Sequence, residues 1–541
     1  MNKYSDNIVL PKDFSTQRWL NYFESSSKHY IEEHRKIPKY DDEFFSEVQS
    51  LGTLDFEDST ICGIFMIKVK QGLSERSSRK KQFTKATELI NQERLQAGIC
   101  IFYDTSHSFR LSLIYPIYKG TKRKFSNFRR HSFYVNEDLS NKTYILQLDK
   151  YRMDSMAELK DAFSVEKVSE LFYKEFTNEN DKLKKGIRDE NDRIPADDLC
   201  GNFALLFAIR IIFLGFVQKK GWLGDNPNFI QDFIKVYDPN VNQDGIYKDL
   251  LKPLFFKALN SAPSQKNEFG FPHIPEPYNS HLVTAPYLNG GLFRPHEDYD
   301  TEALFITDEA IVNFVTFLFS FNFTLEENTL YDEELELNPE FLGIIFEKLI
   351  NKAHGAIYTP RLEVDFMCRL SLVKYLQQNC LASISLENLY MLFFPEYGDE
   401  SEQTVGDFTE DEAKDLLDKL ENVTVCDPAI GSGAFAVGML NVIDEIECSI
   451  YEHFLPDKPP SSPYERKKRI IFQSLYGVEV KQWAVWITQL RLWITLLIEA
   501  EDSFKHSEKP LLPSFDFKIR QGDSLIQMMG SSLFPVSGEG I

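Results

Sequence analysis

The sequence predicts an α/β protein with a partial doubly wound parallel sheet near its C-terminus. A helical connector and an N-terminal α+β domain are predicted in front of that sheet. The first observation behind this is an apolar, β-branched run before residue 427, followed by a glycine-bearing turn and a long apolar helix. The second is a pair of later strand-like runs that each lead into an acidic residue. The third is length, because 541 residues are too many for one core.

Residues 1–165 are predicted to form the separate α+β domain. Short apolar runs indicate its strands, and the charged segment Ser74–Glu93 between two of them indicates a helix. The predicted strands are Leu51–Phe56, Cys62–Val69, Gly98–Tyr103 and Phe109–Tyr115. This order is compatible with a nuclease-like core, in which an acid on one strand and an acid-x-Lys on the next hold a divalent metal and position water.

Candidate metal-site residues in this domain are Asp55 or Asp58 as the first acid and Lys68 as the lysine. Met66, however, stands two positions before Lys68, where the second carboxylate is needed. One lost carboxylate weakens a site for a hard cation such as Mg²⁺. A degenerate or unrelated scaffold domain is therefore favoured over a working nuclease, and Mg²⁺ is expected only if the domain is active.

The net charge and the cysteine pattern exclude some modes of DNA binding and some kinds of site. The net charge of −22 argues against DNA wrapped over the whole surface. Local positive charge could come from Arg76–Lys81 and from Lys119–Lys124 with Arg129 and Arg130, although solvated faces explain both runs equally well. The seven cysteines form no Cys-x-x-Cys pair, so neither a zinc site nor a disulfide framework is indicated.

No membrane segment is expected. The N-terminus is polar, and the longest apolar stretch, Phe203–Val217, is interrupted by Arg210 and is too short to span a bilayer. The expected location is the cytoplasm. That stretch belongs to residues 166–335, which are predicted to form the helical connector, with helices at Lys167–Lys185 and Asn202–Gly221. A buried aliphatic helix face fully explains the Phe203–Val217 stretch, so no catalytic or binding role is assigned to it.

The central stretch of residues 336–541 is Val423–Phe435. Val423–Cys426 reads as a strand covered on both faces, and Asp427 ends it. Pro428 cannot extend a ladder, so the chain turns there. Gly431 and Gly433 permit positive φ and leave room for a ligand against the backbone. The apolar helix that follows, Ala434–Ile450, places this turn at a helix N-terminus beyond the carboxyl end of a strand, where open α/β sheets bind ligands.

Two further strands are predicted to end near acids. Leu475–Glu479 ends in a carboxylate that can accept both hydroxyls of a ribose. Phe515–Arg520 is followed by Gly522, Asp523 and Ser524. Each acid alone is more often a surface residue. Three strand-end acids in sequence, Asp427, Glu479 and Asp523, indicate one site.

The full set of motifs resembles the N-terminal half of large γ-class adenine-N6 DNA methyltransferases, especially type IIG restriction–modification enzymes. The motifs that carry the resemblance are Asn-Pro-Glu-Phe-Leu-Gly-Ile-Ile-Phe-Glu from Asn338, Tyr358-Thr359-Pro360, Asp427-Pro428-Ala429-Ile430-Gly431-Ser432-Gly433, Gly477-Val478-Glu479 and Gly522-Asp523-Ser524-Leu525. The resemblance implies a methyltransferase domain with a Rossmann-like sheet over residues 336–541 and S-adenosylmethionine as cofactor.

The resemblance also implies a role for each cofactor-binding residue. Gly431 and Gly433 let the backbone approach the methionine end, and Asp427 orients its amine. Glu479 holds the ribose, while Asp523 and Ser524 meet the adenine. The rest of the implied set consists of Tyr358, Thr359 and Pro360, which close over the cofactor, and Pro428, Ala429 and Phe435.

The family's catalytic motif, Asn-Pro-Pro-Tyr or a close variant, occurs nowhere in this sequence. That motif holds the flipped adenine and stacks on it. No catalytic residue is therefore assigned, and we expect a fragment or half of a split enzyme that acts on duplex DNA with a C-terminal half carrying the motif and the target-recognition domain. Alternatives are a scaffold subunit of a phage-defence complex, a metal-dependent nuclease in residues 1–165, and methyl transfer to RNA or protein.

Overall fold

A computed structural model of the chain describes residues 7–74, 79–119, 124–240, 244–288, 291–324, 332–334, 342–343, 345, 359–394, 405–512, 514–515, 518–525, 528–529 and 532–533. Its helices are α1 Thr16–Ser26, α2 Arg79–Gln92, α3 Lys142–Lys150, α4 Met156–Ala162, α5 Val165–Lys185, α6 Asp197–Lys219, α7 Phe229–Ile234, α8 Pro263–Phe269, α9 Tyr278–Thr284, α10 Asp308–Leu318, α11 Arg361–Asn379, α12 Leu386–Phe393, α13 Glu410–Glu421, α14 Ala434–Phe454, α15 Pro463–Arg469 and α16 Gln482–Glu499. Its strands are β1 Tyr30–Lys36, β2 Phe45–Asp55, β3 Ile61–Val69, β4 Ala97–Tyr103, β5 Phe109–Lys119, β6 Lys124–Val135, β7 Ile187–Asp189, β8 Leu304–Ile306, β9 Asp332–Glu334, β10 Val425–Asp427, β11 Leu475–Glu479, β12 Ile519–Gln521, β13 Met528–Met529 and β14 Ser532–Leu533.

The chain divides into two compact units. The first consists of residues 1–177 and 316–345, and the second of residues 178–315 and 346–541. These borders differ from the predicted ones at 165 and 335, because residues 178–315 of the predicted connector share one unit with the C-terminal sheet. Within it, Lys220 Nζ donates to the Ile498 carbonyl at 2.9 Å, and the Trp222 indole donates to Asp502 at 3.0 Å.

The first unit is built on one mixed sheet with strand order β1-β2-β3-β4-β5-β6-β9. The four predicted strands and the helix between them are all present. Two long strands, β1 and β6, were not predicted. Five of the seven residues of β1 are charged or histidine and six are exposed, so the strand lacks the apolar alternation that marks a half-buried strand. Separate apolar clusters cover the sheet, one around Trp19 and Phe109 and one around Phe45 and Phe102.

The basic runs of the first unit belong partly to its core. Residues 75–78 and 120–123 lie outside the described part of the chain. Arg130, in β6, is fully buried and donates to the Arg79 carbonyl at 3.1 Å. Lys81 lies over the Phe44 ring, 3.0 Å from its centroid. Arg130 is thus a structural residue and does not add to a phosphate-binding surface.

Helix α6 is the central helix of the connector. Among the described residues it is the one helix long and apolar enough to cross a bilayer, and 83% of its most apolar window is buried inside the protein. Arg210, which interrupts the apolar stretch, is also buried. Its guanidinium forms two hydrogen bonds to Asp300, at 2.7 and 2.8 Å, and another to the Leu292 carbonyl at 2.9 Å. The helix therefore packs as a core helix, and its charged residue is satisfied by a partner.

The C-terminal sheet has the predicted strands in the order β10-β11-β12, and both pairings are parallel. Leu475 and Ile519 on one face are buried. The prediction that β10 is covered on both faces is wrong, because Cys426 is exposed and its neighbour Tyr476 is 37% exposed. Gly477 lets the chain approach closely on the buried face, where a Cβ would lie 2.2 Å from Ile430 Cδ1.

Candidate cofactor site

The site is centred on the glycine turn between β10 and α14. Gly431 has a φ of 56° and Gly433 a φ of 80°, so both adopt the left-handed region that their identities predicted. Gly433 is the N-cap of α14. The Ile430 N–H donates to the Val478 carbonyl at 3.0 Å and joins the turn to the neighbouring strand. Strand, turn and helix thus follow one another as the sequence indicated.

The two glycines face different surroundings. Among the described residues, a Cβ on Gly431 would meet only the Ala429 carbonyl, at 4.0 Å. A Cβ on Gly433 would lie 2.7 Å from Thr488 Cγ2. Gly431 therefore leaves an open surface against which a ligand can lie, whereas Gly433 permits close packing of α16 on the turn.

The three predicted acids follow three adjacent parallel strands. Asp427 is the last residue of β10, Glu479 the last of β11, and Asp523 lies two residues beyond β12. The register pairs Asp427 with Gly477, and Glu479 with Gln521. Because the carboxyl ends of parallel strands meet at one sheet edge, all three lie along the same edge.

Hydrogen bonds tie these strand ends together. The Gly431 N–H donates to Glu479 Oε2 at 3.1 Å, and Ser524 Oγ donates to the Pro428 carbonyl at 2.7 Å. The Gly522 N–H donates to the Glu479 carbonyl at 2.9 Å. These hydrogen bonds therefore connect predicted residues of all three segments, and their contact with a cofactor stays a prediction.

The remaining capacity of the acids fits an adenosyl ligand. Besides Gly431, Glu479 accepts one N–H from Lys481 at Oε1, 3.1 Å away. Asp427 accepts from Ala429 at 3.0 Å, and Asp523 from Leu525 at 2.9 Å. Each ionised carboxylate has about four lone-pair positions, so these bonds leave acceptors for hydroxyl or amine groups of a ligand. Together with the glycine backbone at Gly431, these acceptors fit the amine and ribose hydroxyl groups of S-adenosylmethionine.

The sequence predicts an apolar helix at Ala484–Ala500 that carries Arg491, and α16 is that helix, but its hydrogen bonds to the turn were not predicted. Thr488 Oγ1 donates to the Gly431 carbonyl at 2.9 Å, and Arg491 Nη1 donates to the Ser432 carbonyl at 3.0 Å. Both residues belong to α16, more than 50 positions downstream. The one available signal was a lone arginine in an apolar helix, which by itself does not identify its partner.

The segment predicted to close over the cofactor is described in part. Tyr358 lies outside the described residues, whereas Thr359 and Pro360 directly precede α11. Pro360 occupies the N-cap position, and no side chain caps the helix. Helix α11 packs closely on α14, because a Cβ on Gly438 would lie 2.5 Å from Val364 Cγ1. Phe435 begins this part of α14, and its carbonyl lies 3.9 Å from Cys368 Sγ. Contact of Tyr358–Pro360 with the cofactor stays a prediction.

The predicted nuclease residues do not come together. Asp55 pairs with Ile61 at one end of the β2–β3 hairpin, whereas Lys68 pairs with Ser46 at the other. Seven residues of strand separate Ile61 from Lys68, or roughly 23 Å at the rise of a β-strand. Asp58 lies in the hairpin turn, where its hydrogen bonds to Thr60 lower its pKa. The predicted grouping is therefore wrong.

Lys68 has a different acidic partner. Its Nζ lies 2.5 Å from Glu47 Oε1, and this hydrogen bond lowers the pKa of Glu47. Glu47 also accepts from the Tyr103 hydroxyl at 3.3 Å. Among the described residues, no group of three or more histidine, cysteine or acidic side chains could hold a metal ion. The described part of the first unit thus offers no support for magnesium chemistry.

Comparison with known proteins supports the reading of the second unit. Residues 402–527 match the family described as MmeI, DNA-methyltransferase domain. A Methanocaldococcus jannaschii protein, named as a type II restriction enzyme and methyltransferase, is 30% identical over 353 residues, which cover 62% of this chain and 28% of that protein. DNA methyltransferase A of Bacillus subtilis is 21% identical over 324 residues, covering 57% of this chain and 29% of that protein. The chain thus spans less than a third of the length of these relatives.

Two solved structures are distant neighbours. The type IIL restriction–modification enzyme MmeI in complex with DNA gives a TM-score of 0.39 at 16% identity, with 67% of this chain and 41% of that chain covered. The DrdV–DNA complex gives a TM-score of 0.24 at 12% identity, covering 94% of this chain and 37% of that chain. Both likenesses are too weak to support a conclusion. Residues 402–527 are thus similar to a DNA-methyltransferase domain, and one of the two curated relatives is named as a restriction enzyme and methyltransferase.

Proposed function

We propose that this chain is the cofactor-binding half of a type IIG-like restriction–modification enzyme that transfers a methyl group from S-adenosylmethionine to adenine N6 in duplex DNA. The observation that carries the proposal is the joining of three strand ends, in which Glu479 accepts from Gly431 and Ser524 donates to Pro428. A cytoplasmic location follows from access to cofactor and DNA.

The residues of the site have distinct proposed tasks. Gly431 offers a bare backbone to the methionine end, and Asp427 orients the amine there. Glu479 accepts from the ribose hydroxyls, for which its unused lone pairs are suited. Asp523 and Ser524 meet the adenine of the cofactor. Bound S-adenosylmethionine supplies an electrophilic methyl group, and the chain holds and orients that group.

The proposal includes a further part of the enzyme that carries the catalytic motif. The sequence contains no Asn-Pro-Pro or Asp-Pro-Pro with which to hold a flipped adenine. In the described part of the chain, β10 pairs with β11 alone and is an edge of its sheet. An unpaired edge of this kind can accept an added strand. We propose that a half carrying the catalytic motif and the target-recognition domain completes the sheet here.

Calorimetry with S-adenosylhomocysteine tests cofactor binding. We expect one site per chain in the wild type and about tenfold or weaker binding in Glu479→Gln, since hydrogen bonds to a charged group contribute roughly 1.5–3 kcal/mol. Glu499→Gln is the matched control, because Glu499 is also a half-buried carboxylate of the second unit but pairs with Lys467 at 2.6 Å. Absence of heat and of thermal stabilisation in the wild type would favour a scaffold subunit instead.

Methyl transfer is tested separately with labelled S-adenosylmethionine. We expect no label in duplex DNA, RNA or protein when the chain is alone. Label should enter adenine in DNA when a complementary half with the Asn-Pro-Pro-Tyr motif is added. Turnover by the isolated chain, or transfer to another class of acceptor, would contradict the proposal.

A further inference from the structure

We propose that Thr488 and Arg491 of α16 are positioning residues for the cofactor, because they hold the two carbonyl groups of the glycine turn and thereby set its peptide planes. This inference rests on the proposed function. Thr488 and Arg491 lie behind the turn, and we expect them to affect binding of the methionine end of the ligand and not of its adenosyl end.

The contacts are short and shielded from water. Thr488 is fully buried, and its hydroxyl donates to the Gly431 carbonyl at 2.9 Å. Arg491 is 8% exposed, and Nη1 donates to the Ser432 carbonyl at 3.0 Å, with Ser432 Oγ 3.5 Å away. Consecutive carbonyls of the turn are thus held by one helix, with donors one turn of that helix apart.

Fixing a carbonyl also fixes an N–H group. In a trans peptide the C=O and the following N–H point in opposite directions. The Gly431 carbonyl points at Thr488, so the Ser432 N–H must point away from that side chain. The Ser432 carbonyl points at Arg491, and the Gly433 N–H correspondingly donates to the Ile430 carbonyl at 2.9 Å. The direction of the turn's N–H groups is therefore set from α16.

A purely structural role accounts less well for these residues. A buried guanidinium is expensive to desolvate, and an apolar side chain of similar volume packs at equal or lower cost. A threonine hydroxyl can also satisfy itself on its own helix. Thr495 does this, as its hydroxyl donates to the Arg491 carbonyl at 3.0 Å. Thr488 instead reaches across to the turn, which points to a task at the site.

Thr488 and Thr495 allow a matched experiment on the full chain. Both hydroxyls are buried and both lie on α16, but only Thr488 bonds the glycine turn. The variants are Thr488→Val, Thr488→Ser and Thr495→Val. The probes are S-adenosylhomocysteine, which has the amino-acid end, and 5′-methylthioadenosine, which lacks it. Calorimetry gives both dissociation constants, and thermal unfolding is recorded for every variant.

We expect Thr488→Val to weaken S-adenosylhomocysteine binding roughly two- to tenfold, the equivalent of one hydrogen bond. Its affinity for 5′-methylthioadenosine should stay within twofold of the wild type. Thr488→Ser keeps the donor and should restore binding. Thr495→Val should lower thermal stability and leave both affinities unchanged. Arg491→Met should weaken S-adenosylhomocysteine about ten- to a hundredfold, with partial recovery in Arg491→Lys.

Three outcomes would overturn the inference. Thr488→Val could bind S-adenosylhomocysteine as tightly as the wild type. It could weaken both probes equally, which would indicate a general loss of packing. Thr495→Val could weaken binding as much as Thr488→Val does, which would also indicate a general loss of packing. A wild-type chain that binds neither probe would overturn the proposed function, and the inference with it. If Arg491→Met does not fold, the threonine variants still decide the question.

Discussion

The two glycines of the turn should respond differently to the same substitution, Gly→Ala. In Gly431→Ala the added methyl enters open space, so the cost is that of a left-handed alanine, about 1–2 kcal/mol. In Gly433→Ala the same backbone cost applies, and the methyl also lies 2.7 Å from Thr488 Cγ2 and 2.9 Å from its Oγ1. Overpacking of a core adds roughly 1–3 kcal/mol, so we expect about 2–5 kcal/mol in total.

Urea unfolding followed by tryptophan fluorescence measures these costs. Four of the five tryptophans, Trp222, Trp483, Trp486 and Trp493, belong to the unit that holds the turn. The loss of ligand binding should rank the two variants in the opposite order to the loss of stability. Gly431→Ala should abolish S-adenosylhomocysteine binding at a small stability cost, because its methyl occupies the surface offered to the ligand. The double variant Gly433→Ala with Thr488→Ala should regain part of the lost stability. Equal destabilisation by the two single variants would refute the packing argument.

The remaining predictions concern buried charges of the second unit. Asp300→Asn should lower the free energy of unfolding by about 3–5 kcal/mol, because the paired side chains of Arg210 and Asp300 are only 1% and 0% exposed. The control is Asp189→Asn, because Asp189 pairs with the exposed Arg193. It should lower the free energy of unfolding by less than about 1 kcal/mol in the same urea titration. Burial raises the pKa of Glu447 to about 7 despite its pairing with Arg469. The folded state therefore favours the protonated Glu447 carboxyl. The contribution of Glu447 to the free energy of unfolding is fully present below pH 4.5 and is lost as the pH rises through about 7. Unfolding measured from pH 5 to 8 should show this decline in the wild type and a flatter profile in Glu447→Gln, and equal slopes would contradict the assignment.

The strand, turn and helix around Gly431 were predictable because each is determined by residues close together in the sequence. A β-branched run, a proline and two glycines fix the strand, the turn and the positive φ values within a few residues. The positions of Glu479 and Asp523 at the ends of strands were predicted in the same way, from short strand-like runs that lead into a carboxylate. That the three strands lie side by side followed from the rules of doubly wound sheets, and the register bears it out.

Features that depend on contacts between residues far apart in the sequence were not predictable. The β1 strand has no apolar pattern, since its edge position leaves it exposed. Asp55 and Lys68 were grouped because the order of strands is compatible with a nuclease-like core, but the hairpin register places them at opposite ends. Unit borders depend on contacts such as Trp222 with Asp502, which no local pattern reveals. The partners of Thr488 and Arg491 were missed for the same reason.

A crystal structure of this chain with S-adenosylhomocysteine would show which residues hold the cofactor. We expect the ribose hydroxyls within hydrogen-bond distance of the Glu479 carboxylate, the amino-acid end against Gly431, and the adenine beside Asp523. A ligand bound elsewhere, or bound at this edge without contact to Glu479, would contradict it.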